Sequence, residues 1–184
     1  MLEELLLQKR APRTVSFTNV GDDTIESLFV DLDVAVSEAG SIGDLLRQHN
    51  VPITTTIPPA FRWSTKREEE QRDRYMQHLR DHYPLPPPWA YGQIPLSTTQ
   101  STPHLSGCPD VVVLPNQYAV VPALVRFAIV VKPYDTTSVS EIYQAIATHA
   151  AVAYHAGARP SFTFLTDLRT YWAVFYFQAR ADGR

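Results

Sequence analysis

The chain has one cysteine (Cys108), two methionines and seven glycines in 184 residues. A single thiol excludes an intrachain disulfide, so stability must come from a packed core. The glycines are not clustered, which leaves no glycine-rich loop to cradle phosphates. Charged residues make up only 19%, and the formal net charge of -3 gives no global attraction to nucleic acid. Binding of that kind would need a local basic patch. No apolar run approaches the length of a membrane span. The opening residues place Glu3 and Glu4 before a short apolar run, the reverse of a secretory leader. An intracellular protein, cytoplasmic or nuclear and without membrane contact, is expected. The charged segments at both ends raise the expectation of a piece of a larger polypeptide, and the oligomeric state stays open.

With 45% hydrophobic residues, the chain fits one domain over 1–184. Thr14 to Val20 alternates loosely, as in an edge strand. Gly21-Asp22-Asp23-Thr24 is a turn and helix start, and Ile25, Leu28, Phe29, Leu32 and Val36 follow at the spacing of one helical face. A short helix over Ile42–His49 is expected next. Thr65 to His82 reads as a charged, solvated helix. Its alternative is a phosphate-contacting surface through Arg62, Lys66, Arg67, Arg72, Arg74 and Arg80, blunted by the intervening acids. Residues 84–106, rich in proline, serine and threonine, read as a long loop.

The second half is more regular. Asp110 to Leu114 and Leu124 to Val131 are apolar strands, with Tyr118 to Val121 returning between them. Ser138 and Glu141 form a capping box for a helix from Val139 to His155, and Gly157 closes it. Ser161–Leu165 and Tyr171–Phe177 are two further strands around the turn Thr166-Asp167-Leu168-Arg169. The fold class is therefore α/β, in the order helix, three strands, helix, two strands.

Asp110 opens one strand and Lys132 closes the next. Hydrolysis of a phosphodiester with a divalent metal needs hard oxygen ligands, and a lysine to offset developing charge. The pairing of Pro109-Asp110 with Val130-Val131-Lys132, in this order of elements, resembles the PD-(D/E)xK nuclease superfamily. The restriction-endonuclease-like fold of that superfamily is a mixed central sheet flanked by helices. Closest in flavour is the nuclease-like domain of Crinkler effectors and retrotransposon-hot-spot proteins. It similarly runs Pro109-Asp110-Val111-Val112, Val131-Lys132-Pro133, and Leu165-Thr166-Asp167 before an aromatic strand. The resemblance spans residues 107–178 and the leading helix.

Val130 stands where the superfamily carries Asp or Glu. The resemblance therefore implies a degenerate, non-catalytic module in an effector-type protein, binding nucleic acid or a protein partner. The alternative is an active Mg- or Mn-dependent DNA or RNA endonuclease with a relocated carboxylate. Glu26 on the first helix is the candidate for that acid and, with Asp110, for the metal. Gln144 is the expected neighbour on the second helix, where Glu141 serves the cap. Restoring glutamate at position 130 would then supply the missing ligand. His78 and His82, four apart, have zinc-binding spacing but lack the glutamate of a metalloprotease pattern, so surface histidines are expected. Cys108 has no histidine base fixed beside it by sequence.

Overall fold

The computed structural model describes residues 14–32, 58–65, 67–98, 103–115, 121–133, 138–157 and 159–177. In chain order its elements are β1 (Thr14–Ser16), α1 (Asp22–Leu32), a 3-10 turn Glu68–Gln71 leading into α2 (Arg72–His82), β2 (Trp89–Gly92), β3 (Leu96–Ser97), β4 (His104–Gly107), β5 (Val111–Pro115), β6 (Phe127–Val131), α3 (Val139–Ala156), β7 (Phe162–Thr166) and β8 (Trp172–Phe175). The described part is mixed α/β, with three α-helices and two mixed sheets.

The larger sheet runs β2-β5-β6-β7-β8, and β1-β4-β3 form the smaller one. β6 and β7 pair in parallel. A parallel pair needs a crossover, and α3 supplies it. The capping box is present at its start: Glu141 N–H donates to Ser138 Oγ and Ser138 N–H to Glu141 Oε2. The small side chains Ala145, Ala147, Ala150 and Ala151 on α3 are buried.

Alternation along β5 and β6 divides the core. Val112, Leu114 and Ala128 join α1, α3 and the small sheet in one cluster. Val111, Ile129 and Val131 meet Phe61, Tyr75, Met76 and Leu79 on the opposite face, under α2. Because both faces are covered, these strands are apolar nearly throughout.

Several elements differ from expectation. The segment 84–106 carries β2 and β3 and most of β4. After the run Pro86-Pro87-Pro88, Trp89 to Gly92 pair antiparallel with Pro115 to Val112 at the sheet edge. Pairing of the main chain outweighs the loop-like composition there. The return strand expected over Tyr118–Val121 falls on residues of which only Val121 is described, and Val121 is not in a strand. Pro122–Leu124 form a 3-10 turn, so β6 begins only at Phe127. The helix expected over Ile42–His49 lies outside the described residues. Among the described residues, no helix is long and apolar enough to cross a membrane.

His149 on α3 is 2% exposed, with Nδ1 3.3 Å from Thr163 Oγ1 and its ring beside Phe177. Burial pushes its pKa down to about 4. The unfolded imidazole gains its proton near pH 6.5, so stability is complete above that value and is lost as pH falls towards about 4. The loss is roughly 3 kcal/mol. In a His149→Gln variant, urea midpoints between pH 7 and pH 4 should show a correspondingly shallower acid limb.

Candidate active site

Asp110 is placed by the chain on either side of it. Gly107 ends β4 against Phe17, where an added Cβ would run into the aromatic ring. Cys108 and Pro109 then turn the chain into β5. Gln93 Nε2 donates to the Asp110 carbonyl at 3.1 Å. The antiparallel register, Val111 opposite Ile129, carries Asp110 alongside Val130. Asp110 Oδ2 accepts the Val131 N–H at 2.8 Å, and the residue is only 9% exposed. Burial raises its pKa, while the Lys132 charge, the Val131 N–H and Arg72 act the other way.

Lys132 continues the β6–β7 pairing through its main-chain N–H, which donates to Thr166 O at 2.9 Å. Its ammonium reaches both Glu68 oxygens, at 3.2 and 3.3 Å. Glu68 is thus the second carboxylate of the group. Its pKa is raised to about 7, first by burial and then by the Asp110 charge, against the pull of Lys132. Two carboxylates this close resist joint ionisation, and a proton between them relieves the repulsion.

Glu68 is held by a clamp rather than by a sheet. Buried Gln71, at the end of the same turn, accepts from Ser64 N–H at 2.8 Å and donates to Ser64 O at 3.3 Å. Trp63 Nε1 donates to Asp167 O at 2.8 Å, and Phe61 N–H to Leu168 O at 2.9 Å. That β7–β8 turn is itself fixed. Asp167 Oδ1 accepts the N–H groups of Arg169, Thr170 and Tyr171, and Leu168 adopts the left-handed region at φ 56°. The route from Asp167 through Trp63 and Gln71 therefore sets where Glu68 meets the sheet.

The residues singled out from sequence separate into two groups. Asp110 and Lys132 come together. Glu26 does not join them: it is exposed on α1, lining a groove with Asp22, Phe29, Ile142 and Tyr143. The acid beside Asp110 is Glu68. The physical reason is that α1 packs on the α3 side of the sheet, whereas Glu68 arrives with α2. Gln144 is half-buried on α3 and has no hydrogen bond to this group. Val130 is fully enclosed by Ala145 and Leu165, with Ile142 packed against them. His78 and His82 lie with their rings tilted to each other at 4.7 Å on α2, and Cys108 is exposed as a residue while partial burial of its thiol raises its pKa.

Among the described residues, no three His, Cys, Asp or Glu side chains gather as a metal cluster. Asp110 and Glu68 nonetheless offer hard oxygen donors, both with raised pKa values. That donor set fits a small divalent cation that keeps much of its water, such as Mg or Mn. Sequence reasoning missed Glu68 because the charge density of 65–82 reads as a solvated face. The available signal was spacing: Glu68, Arg72, Tyr75 and Leu79 recur at helical intervals, and the last two are buried. Searches of protein-family models, curated proteins and solved structures find no match.

Two outcomes are expected. Because the Glu68 pKa is raised by folding, its contribution to stability is complete below about pH 4.5 and lost as pH rises through about 7. The loss is about 2 kcal/mol after allowance for partial exposure. Glu68→Gln should flatten that decline in denaturation measured between pH 5 and pH 8. Val130→Glu should destabilise the protein, by about 3 kcal/mol or more, because it places a carboxylate in an apolar cluster. Restored metal binding in that variant, with an unchanged melting temperature, would contradict the packing.

Proposed function

We propose that this chain is a divalent-cation-dependent phosphodiesterase of restriction-endonuclease-like descent, acting on DNA or RNA, in which Glu68 replaces the acid missing at position 130. One observation carries the reading: Glu68, Asp110 and Lys132 meet at a single end of the central sheet. The non-catalytic module expected from sequence was argued from the missing acid and the near-balanced charge; Glu68 beside Asp110 supports the active alternative instead.

The roles follow from the geometry. Asp110, rigid through the Val131 N–H, and Glu68 would hold the cation. A bound divalent cation polarises a phosphoryl oxygen and makes water a better nucleophile at neutral pH. In the metal-free protein Glu68, with a pKa raised to about 7, holds a proton at its carboxyl near neutrality, which a bound cation would displace. Lys132, whose ammonium pairs with Glu68, would offset charge on the phosphoryl oxygens.

With Mn present, the wild-type chain should cleave plasmid or oligonucleotide, and Asp110→Asn, Glu68→Gln and Lys132→Met should each cut the rate by roughly a hundredfold or more. Gel-based cleavage and calorimetric titration with Mn check this. A wild-type chain that neither binds Mn nor cleaves would end the proposal.

A further inference from the structure

A hollow of about 580 Å³ lies between the C-terminal half of α2 and the segment 59–62. It holds two imidazoles that the carboxylate site does not use. His78 and His82 both line it, with ring centroids 4.7 Å apart and planes tilted by 60°. His78 sits ten residues beyond Glu68 on one run of helix, about 15 Å along the axis from the carboxylates.

The pair differs from the solvated surface histidines expected from sequence. His82 is exposed, but His78 is half-buried, edge-on to Phe61 at 5.3 Å and tilted against Tyr83 at 6.2 Å. Burial, and then the His82 charge, lower the His78 pKa against the pull of Asp81. Its imidazole is therefore neutral at neutral pH, the form that binds a metal. His78 Nε2 is enclosed, which leaves Nδ1 as its ligating nitrogen.

Spacing and charge agree with such a role. Two imidazoles sharing one tetrahedral zinc, at about 2.1 Å per nitrogen, have ring centroids about 5 Å apart. The 4.7 Å found here is close to that. The last turn of a helix also presents carbonyl groups that favour a cation. Within the hollow, Asp73 and Asp81 balance Arg62 and Arg74. Arg74 is drawn aside, donating to Gln71 Oε1 and Arg62 O and lying over the Phe61 ring.

We infer that His78 and His82 form a two-imidazole site for a zinc ion, separate from the carboxylate site. Nitrogen donors select zinc over magnesium or manganese, whereas Glu68 and Asp110 offer only hard oxygen. Among the described residues no third His, Cys, Asp or Glu joins the pair, so the remaining coordination positions go to water from the hollow. The ion would bridge one turn of α2, the helix whose leading turn carries Glu68. The inference does not rest on the phosphodiesterase reading.

The test titrates the untagged full chain, stripped with EDTA and dialysed, with zinc chloride by calorimetry. Wild type should take up zinc, and Glu68→Gln should keep that uptake, because the carboxylates lie elsewhere. His82→Gln, at an exposed position, and His78→Gln should each weaken it about tenfold or more. In the Glu68→Gln background zinc should raise the melting temperature, and adding His82→Gln should remove the rise, since only an ion bound to the native state stabilises it. Magnesium should give no histidine-dependent uptake. The inference is overturned if wild type takes up no zinc, if both histidine variants bind it like wild type, or if Glu68→Gln abolishes uptake. Histidine-dependent zinc uptake without Mn-dependent cleavage would sink the phosphodiesterase reading alone. Mn-dependent cleavage without histidine-dependent zinc uptake would sink the zinc site alone.

Discussion

The end of the central sheet is organised around a carboxylate that is expensive to bury. Asp110 is kept out of water, and a lone buried carboxylate would protonate or force the strand open. The Val131 N–H at 2.8 Å, the Lys132 charge and Arg72 together make it tolerable. Each comes from a neighbouring element, so the position of Asp110 also specifies how β5, β6 and α2 must meet. Bringing Glu68 into the same place adds repulsion that helix packing has to overcome. Structure that tolerates such a cost locally is characteristic of sites that do chemistry.

The parts that were legible in the sequence are those whose local signals agree with their tertiary surroundings. β6 is a β-branched run, and α3 carries a complete capping box and a closing Gly157. α3 formed where the pattern placed it, as did the turn at Asp167, and β6 occupies the last five residues of its expected run. The parts that were not legible depend on partners distant in sequence. Trp89 to Gly92 gives little strand signal after three prolines, and pairs only because β5 offers an edge. Glu68 is hidden for a similar reason. Nothing local distinguishes it from Glu69 and Glu70, and its importance arises only when Gln71 and Trp63 dock the turn onto Ser64 and Asp167. Of the candidate site, Asp110 and Lys132 could be read from strand ends, whereas the second acid could not.

The two faces of β6 meet different surroundings. Val130 belongs to the apolar cluster with Ala145 and Leu165, and that face of β6 is ordinary core. The second carboxylate, Glu68, arrives on the turn that leads into α2, which packs over the other face. Lys132 is then satisfied by Glu68 across the chain, an ion pair 64 residues apart in sequence. The charged set at the sheet end is close to neutral, which fits the small net charge of the whole chain. Discrimination between ligands would rest on individual donors rather than on a broad electrostatic field.

The indole that pins this assembly has an optical consequence. Trp63 donates to Asp167 O from within the clamp and stands edge-on to Phe61 at 4.9 Å. Its emission is therefore tied to whether the Glu68-bearing turn is seated on the sheet. Release of that turn would hydrate the indole and shift its fluorescence to the red while α3 and the main strands stay folded. Undocking of one acid from the other is in this way separable, spectroscopically, from global melting.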